Sequence, residues 1–183
     1  GYEVRERSEG AKVLYRFQKP KAGDFPAMLE LFSRAREGLK LSEDAHLTPL
    51  PIDKAAASLS AILLDESYYD FLKSMVREVG GIPVLGEAAI IPFKARAWLD
   101  LTRQREEGGN VDEKNIRKHR NDVARLLQLL SQEARYELPS SVADDMRSFV
   151  EQATAEADYD PRQFKVNMTR DDVATRLRAA YQL

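Results

Sequence analysis

The sequence predicts an α+β protein: a small, partial β-sheet packed against a C-terminal helical bundle. Three observations carry that expectation. Short apolar runs bounded by proline and glycine fill the first third of the chain. From Glu87 onward, apolar residues recur at helical spacing. Gly108-Gly109 and Pro139 then break that half into separate helices. The expected division is a β-containing part over 1–86 and a helical bundle over 87–183.

The elements follow in order. Val13-Leu14-Tyr15-Arg16-Phe17 reads as a strand, Lys19 to Asp24 as a turn, and Met28-Leu29-Glu30-Leu31-Phe32 as a second strand. Together they predict a hairpin. The polar stretch Ser33 to Thr48 reads as a loop, Leu50-Pro51-Ile52 as a short edge strand, and Ser60 to Leu64 as strand or helix. Asp65 has the chemistry of an N-cap for a short helix through Tyr68, Tyr69 and Phe71. Gly80-Gly81 marks a turn before Ile82 to Leu85. A first long helix runs from Glu87 to Gly108-Gly109, with Pro92 read as an early-turn residue. A second runs from Asp112, as cap, to about Gln132, with Ile116, Val123, Leu127 and Leu130 inward. A third follows Pro139, capped by Ser140 or Ser141, with Val142, Met146, Phe149, Val150 and Ala153 inward. The fourth starts at Thr169, with Asp172 completing a capping box and Val173, Leu177, Ala180 and Tyr181 buried.

Bulk composition narrows the chemistry. With 43% hydrophobic and 32% charged residues, the 183 residues suit a globular protein with a real core. No apolar run approaches the length of a membrane span, and no basic-then-apolar signal segment opens the chain, so a cytoplasmic protein is expected. With no cysteine, disulfides and thiolate metal sites are excluded, and two histidines, His46 and His119, make a histidine-rich zinc site unexpected. Net charge is only −2, but unevenly spread. Lys94 to Arg125 carries nine Lys/Arg against six Asp/Glu, and Glu133 to Asp160 carries two against eight. The basic middle suits a phosphate-bearing ligand, and equally suits a solvated helix face.

Three features carry candidate chemistry. Lys94 lies near the middle of an apolar helical stripe, with Ile90, Ala97, Trp98 and Leu101 all within about 60° of it. Arg96 and Arg103 are expected to point to water. A lysine in that setting either pairs with a structural carboxylate or is an ammonium held for a phosphate or an acid. Glu30 lies mid-strand, on the face opposite Leu29 and Leu31, either as a solvent-facing acid or as a rigidly held metal carboxylate. The third is Arg117-Lys118-His119-Arg120-Asn121-Asp122. There His119 and Arg120 border the core, and Asp122 stands one turn from Lys118 and His119 with the reach to pair with either. A Gly-rich phosphate loop, a nucleophile elbow and His-Glu-x-x-His are all absent from the sequence.

Three stretches taken together resemble a known family. They are Pro26 to Arg34, Ser58 to Asp65, and Phe93 to Leu101 through Lys118 to Val123. In order and spacing they are similar to the abortive-infection (AbiEii-like) nucleotidyltransferases of the DNA polymerase β-type superfamily, some of which are toxins of toxin–antitoxin pairs. The resemblance spans roughly residues 12 to 130 and does not extend to the helices beyond Gln132. It implies that Glu30 is the third metal-binding carboxylate, that Lys94 contacts the nucleotide's phosphates, and that Asp122 is the late acid of the helical half. Lys118, Arg103 and His119 become candidates for phosphate or acceptor contact. The resemblance also implies Mg²⁺, a nucleoside triphosphate, an RNA acceptor such as tRNA or a protein acceptor, and an antitoxin partner.

One departure qualifies it. The family opens on a Gly-Gly or Gly-Ser turn followed by an Asp-x-Asp-type pair on a strand, and nothing before Glu30 resembles that motif. The strands would then be a remnant of a larger nucleotidyltransferase sheet. The chain opens on Gly1, as a trimmed start or a fragment would. The expectation is a polypeptide inactive alone, with an exposed sheet edge near residues 2 to 17 suited to strand pairing or a homodimer. The competing expectation is a non-catalytic helical module that docks a partner protein or RNA. It gains if Lys94 is neutralised by a core carboxylate such as Asp100 or Glu87.

Overall fold

The computed structural model describes residues 3–6, 12–30 and 66–183. The chain forms two compact units, residues 1–39 and 40–183. The architecture is α+β.

In the first unit, β1 (Glu3–Glu6), β2 (Lys12–Gln18) and β3 (Met28–Glu30) form an antiparallel sheet in that order. The expected hairpin is there, with Gln18 opposite Met28 and Arg16 opposite Glu30. The chain leaves β2 through Lys19, whose positive φ of 51° and N–H bond to the Ala27 carbonyl at 3.3 Å close the connection. The expectations for Leu31-Phe32, Ser33 to Thr48, Leu50 to Ile52, Ser60 to Leu64 and Asp65 lie outside the described residues.

The second unit begins with α1 (Glu66–Ser74), the short helix expected around Tyr68 and Phe71, both of which are buried. A second hairpin follows, β4 (Val76–Val79) with β5 (Ile82–Leu85). Gly80 and Gly81 take φ of 59° and 78°, as a two-residue hairpin turn of the type I′ class requires. The register pairs Val79 with Ile82 and Glu78 with Pro83. The pair next to such a turn exchanges hydrogen bonds and the following pair does not, so Pro83 deprives the ladder of nothing. Strand β4 has no counterpart in the sequence expectations.

Helix α2 (Glu87–Glu106) is the centre of the unit. Residues on several of its faces are buried, from Ile91 and Phe93 to Trp98 and Leu101, which marks a helix packed on more than one side. It packs against α3 (Glu113–Leu127) and α4 (Ser140–Ala155). The ring of Trp98 meets Phe149 of α4 edge-on, with centroids 5.4 Å apart. A second apolar cluster joins Phe93 of α2 to Tyr68 and Phe71 of α1 and Val142 of α4. A 3₁₀ turn (Pro161–Phe164) leads to α5 (Arg170–Tyr181), which starts on the expected Thr169–Asp172 capping box.

Four expectations change. Pro92 is the sixth residue of α2, past the first turn, so its missing N–H leaves the Ala88 carbonyl without its helical donor. The buried Tyr181 hydroxyl of α5 donates to that carbonyl at 2.9 Å. Helix α3 ends at Leu127 rather than near Gln132, although Leu130 is buried as expected. The N-cap of α4 is Pro139, without a side-chain cap from either serine. Arg96 does not point to water. It bonds Asp100 at 3.1 Å and Asp145 of α4 at 2.7 Å.

Candidate functional site

The seam between α2 and α3 brings Lys94 and Asp122 together. Lys94 Nζ donates to Asp122 Oδ2 at 3.0 Å, and both side chains are one-fifth exposed. The other oxygen, Oδ1, accepts from Arg125 Nη1 at 3.1 Å. One carboxylate therefore carries two cations, one from each helix. The wheel explains the arrangement. Ile116, Val123 and Leu127 bury one stripe of α3, and Asp122 stands at its border, where it reaches the neighbouring helix. Asp122 has the reach to pair with Lys118 or His119 along its own helix; its ion pairs are with Lys94 and Arg125. The two carboxylates named as alternatives for Lys94 serve elsewhere, Asp100 on Arg96 and Glu87 on Arg77 at 3.4 Å.

His119 belongs to the same seam. Burial and then the positive charge of Lys94 push its pKa down to about 4, against the opposing pull of Asp122. Its Nδ1 is buried without a hydrogen-bond partner among the described residues. At neutral pH the imidazole is uncharged, so it can offer a phosphate a neutral donor but no positive charge. Lys118 is exposed, one turn before Asp122, and also depresses the His119 pKa. Arg103 is exposed too, but lies about 13 Å further along α2 from Lys94 and does not join the cluster. Glu30 lies in β3, its backbone opposite Arg16 in the first unit.

Two further polar networks brace the helices. In one, Arg96 bridges Asp100 and Asp145, and the Tyr68 hydroxyl donates to the same Asp145 oxygen at 2.8 Å. Burial and then Asp145 push the tyrosine pKa up, so the hydroxyl stays a donor. Burial disfavours the Arg96 charge, but the two carboxylates outweigh it. In the other, the buried Arg120 guanidinium bonds Glu156 and Asp158 and stacks 4.8 Å from the Tyr159 ring centroid. The Arg120 hydrogen bond holds Asp158 below the ordinary carboxylate range.

Asp158-Tyr159-Asp160 has Asp-x-Asp spacing, but it lies between α4 and the 3₁₀ turn rather than on a strand. Its two acids are engaged by Arg120 and by Arg162. Asp122 likewise does not fit a magnesium ligand, since both its oxygens carry cations. Among the described residues, no group of three or more His, Asp or Glu is placed to hold a metal ion, and no helix is long and apolar enough to cross a membrane.

The sequence reading singled out Lys94, His119 and Asp122, and missed Arg125. The available signal was its position three residues beyond Asp122 and seven beyond Lys118, on one exposed side of α3. No protein-family model matches this chain, and neither do curated proteins nor solved structures.

Proposed function

We propose that the chain is part of a nucleotidyltransferase-like protein, in which the α2–α3 seam receives the phosphates of a nucleoside triphosphate. The observation that carries this reading is the pair Lys94 and Arg125 on a single carboxylate, Asp122, beside a neutral imidazole whose pKa Lys94 and Lys118 both lower. Two cations against one anion leave a net positive site, and Lys94 is fixed rather than free, which suits a residue that must meet a phosphate in one position. Resemblance to the AbiEii-like enzymes supports the same assignment, with Glu30 for Mg²⁺ and the strands as a remnant of the enzyme's sheet. A divalent ion would activate the acceptor hydroxyl and offset charge on the leaving pyrophosphate. The partners under this reading are a nucleotide, an RNA or protein acceptor and an antitoxin.

The sequence holds no Gly-Gly or Gly-Ser turn with a strand-borne Asp-x-Asp pair, so this polypeptide by itself is expected not to transfer nucleotides. One observation favours a second reading. Lys94 already meets a counter-ion within the fold, as a lysine in a purely structural helix pair would, which suits a non-catalytic binding module.

A transfer assay separates the two. It uses Mg²⁺, labelled nucleoside triphosphates and bulk tRNA, with this chain beside a version extended to the next upstream in-frame start. Label transferred by the extended chain and abolished by Glu30→Ala is the expected result. No transfer by either well-folded chain, on tRNA or on protein, favours the binding module.

A further inference from the structure

We infer that Arg125 is a second phosphate-binding cation of the α2–α3 seam, held in place by Asp122 and Phe164. This rests on the reading of Lys94 as a phosphate-binding residue and adds the element that would make the site specific for a chain of phosphates. An exposed arginine on a helix ordinarily samples many rotamers, and ordering it costs conformational entropy. Arg125 is nearly half exposed, yet it is held from two sides. Its Nη1 donates to Asp122 Oδ1 at 3.1 Å, and its guanidinium lies 5.2 Å from the centroid of the Phe164 ring, on the 3₁₀ turn. Among the described residues the remaining N–H groups of that guanidinium have no hydrogen-bond partner. Lys94 similarly uses one of its three donors, on the neighbouring oxygen of the same carboxylate.

The two cations thus sit on the two oxygens of one carboxylate, and each keeps donors to spare. A single phosphate needs one such cation. A polyphosphate presents oxygens on successive phosphorus atoms and engages both, with the planar fork of Arg125 supplying paired donors that Lys94 lacks. Asp122 sets the spacing, and its one charge leaves the pair net positive. The neutral His119 at the side adds no further charge. The ligand chemistry is therefore a di- or triphosphate tail rather than a lone phosphoryl group.

The test is calorimetric titration of the whole chain with inorganic tripolyphosphate at low ionic strength. Wild type is expected to bind, and Arg125→Ala to bind at least tenfold more weakly, with Arg125→Lys between them. Lys114→Ala, which removes the same charge from α3 about three turns away, is expected to stay within twofold of wild type. A parallel NMR titration of the unmutated chain follows the Arg125 Nε–H resonance, which is expected to move on addition of tripolyphosphate and much less with orthophosphate. Weakening by Lys94→Ala with Arg125→Ala equal to Lys114→Ala would overturn the role of Arg125 and leave the Lys94 reading standing. Absence of tripolyphosphate binding by the folded wild type would remove both.

Discussion

Lys94 and His119 are coupled through charge, and the coupling can be read directly. His119 titrates near 4 because it is half-buried and because Lys94 stands beside it, burial being the larger cause. Lys94→Met removes the second cause and keeps the first. The His119 pKa is therefore expected to rise in that variant but to stay below the ordinary value of about 6.5, as followed by imidazole NMR shifts. An unchanged pKa would show that the ammonium does not act on the ring.

The same residue sets a pH dependence of stability. A histidine whose pKa is lower in the folded chain than in the unfolded one binds fewer protons when folded. Its contribution is whole above about pH 6.5 and is lost as pH falls toward 4, by about 3 kcal/mol in all. Carboxylates of the unfolded chain begin to titrate in the lower part of that window, so the comparison is with His119→Gln. Urea unfolding at pH 7 and pH 4.5 is expected to show a smaller acid loss in the variant. An equal loss would remove His119 from the account.

At the scale of elements, the protein is tied together by polar contacts made where helices lack something. Pro92 leaves the Ala88 carbonyl without a helical donor, and Tyr181 of α5 supplies one. Tyr181→Phe keeps the ring and leaves that carbonyl unsatisfied in a buried setting. A loss of about 1–2 kcal/mol in urea unfolding is expected, against none if another donor takes over. Arg120 plays a similar part between α3 and the segment after α4. Its partners Glu156 and Asp158 retain access to water, so Arg120→Ala is expected to cost about 2 kcal/mol, less than the loss of a fully buried pair. Much of this layer was hidden from a linear reading. The capping box at Thr169, the Asp112 cap and the hairpin turn at Gly80-Gly81 are local signals and were legible. Tyr181 for the Ala88 carbonyl, Asp145 for Arg96, and Glu156 with Asp158 for Arg120 come from 36 to 93 residues away, and no local pattern encodes them. Strand β4 was missed because its four residues, Val-Arg-Glu-Val, are all exposed and carry no apolar alternation.

Over the whole molecule, two kinds of charge organisation meet. The acidic Glu133–Asp160 segment supplies counter-ions, Asp145 to α2 and Glu156 and Asp158 to α3, so part of the uneven charge in the sequence is consumed inside the fold. Among the described residues it makes no ion pair with Lys94 or Arg125, which share one aspartate of α3. Lys94 was legible as a candidate because a lysine on an apolar stripe demands an explanation, and Asp122 because it closes the charged run from Arg117. Their direct pairing was not legible, since it depends on how α2 and α3 face each other.

The central claim is that Lys94 meets the phosphates of a nucleotide. An acyl-phosphate derivative of ATP transfers its acyl group to a lysine beside the terminal phosphate, and peptide mass spectrometry then identifies the site. Lys94 is expected to be acylated at low probe concentration, with lesser labelling at Lys118, and excess ATP to suppress both. Labelling confined to the exposed Lys73, Lys114 and Lys165, insensitive to ATP and sparing Lys94, would contradict it.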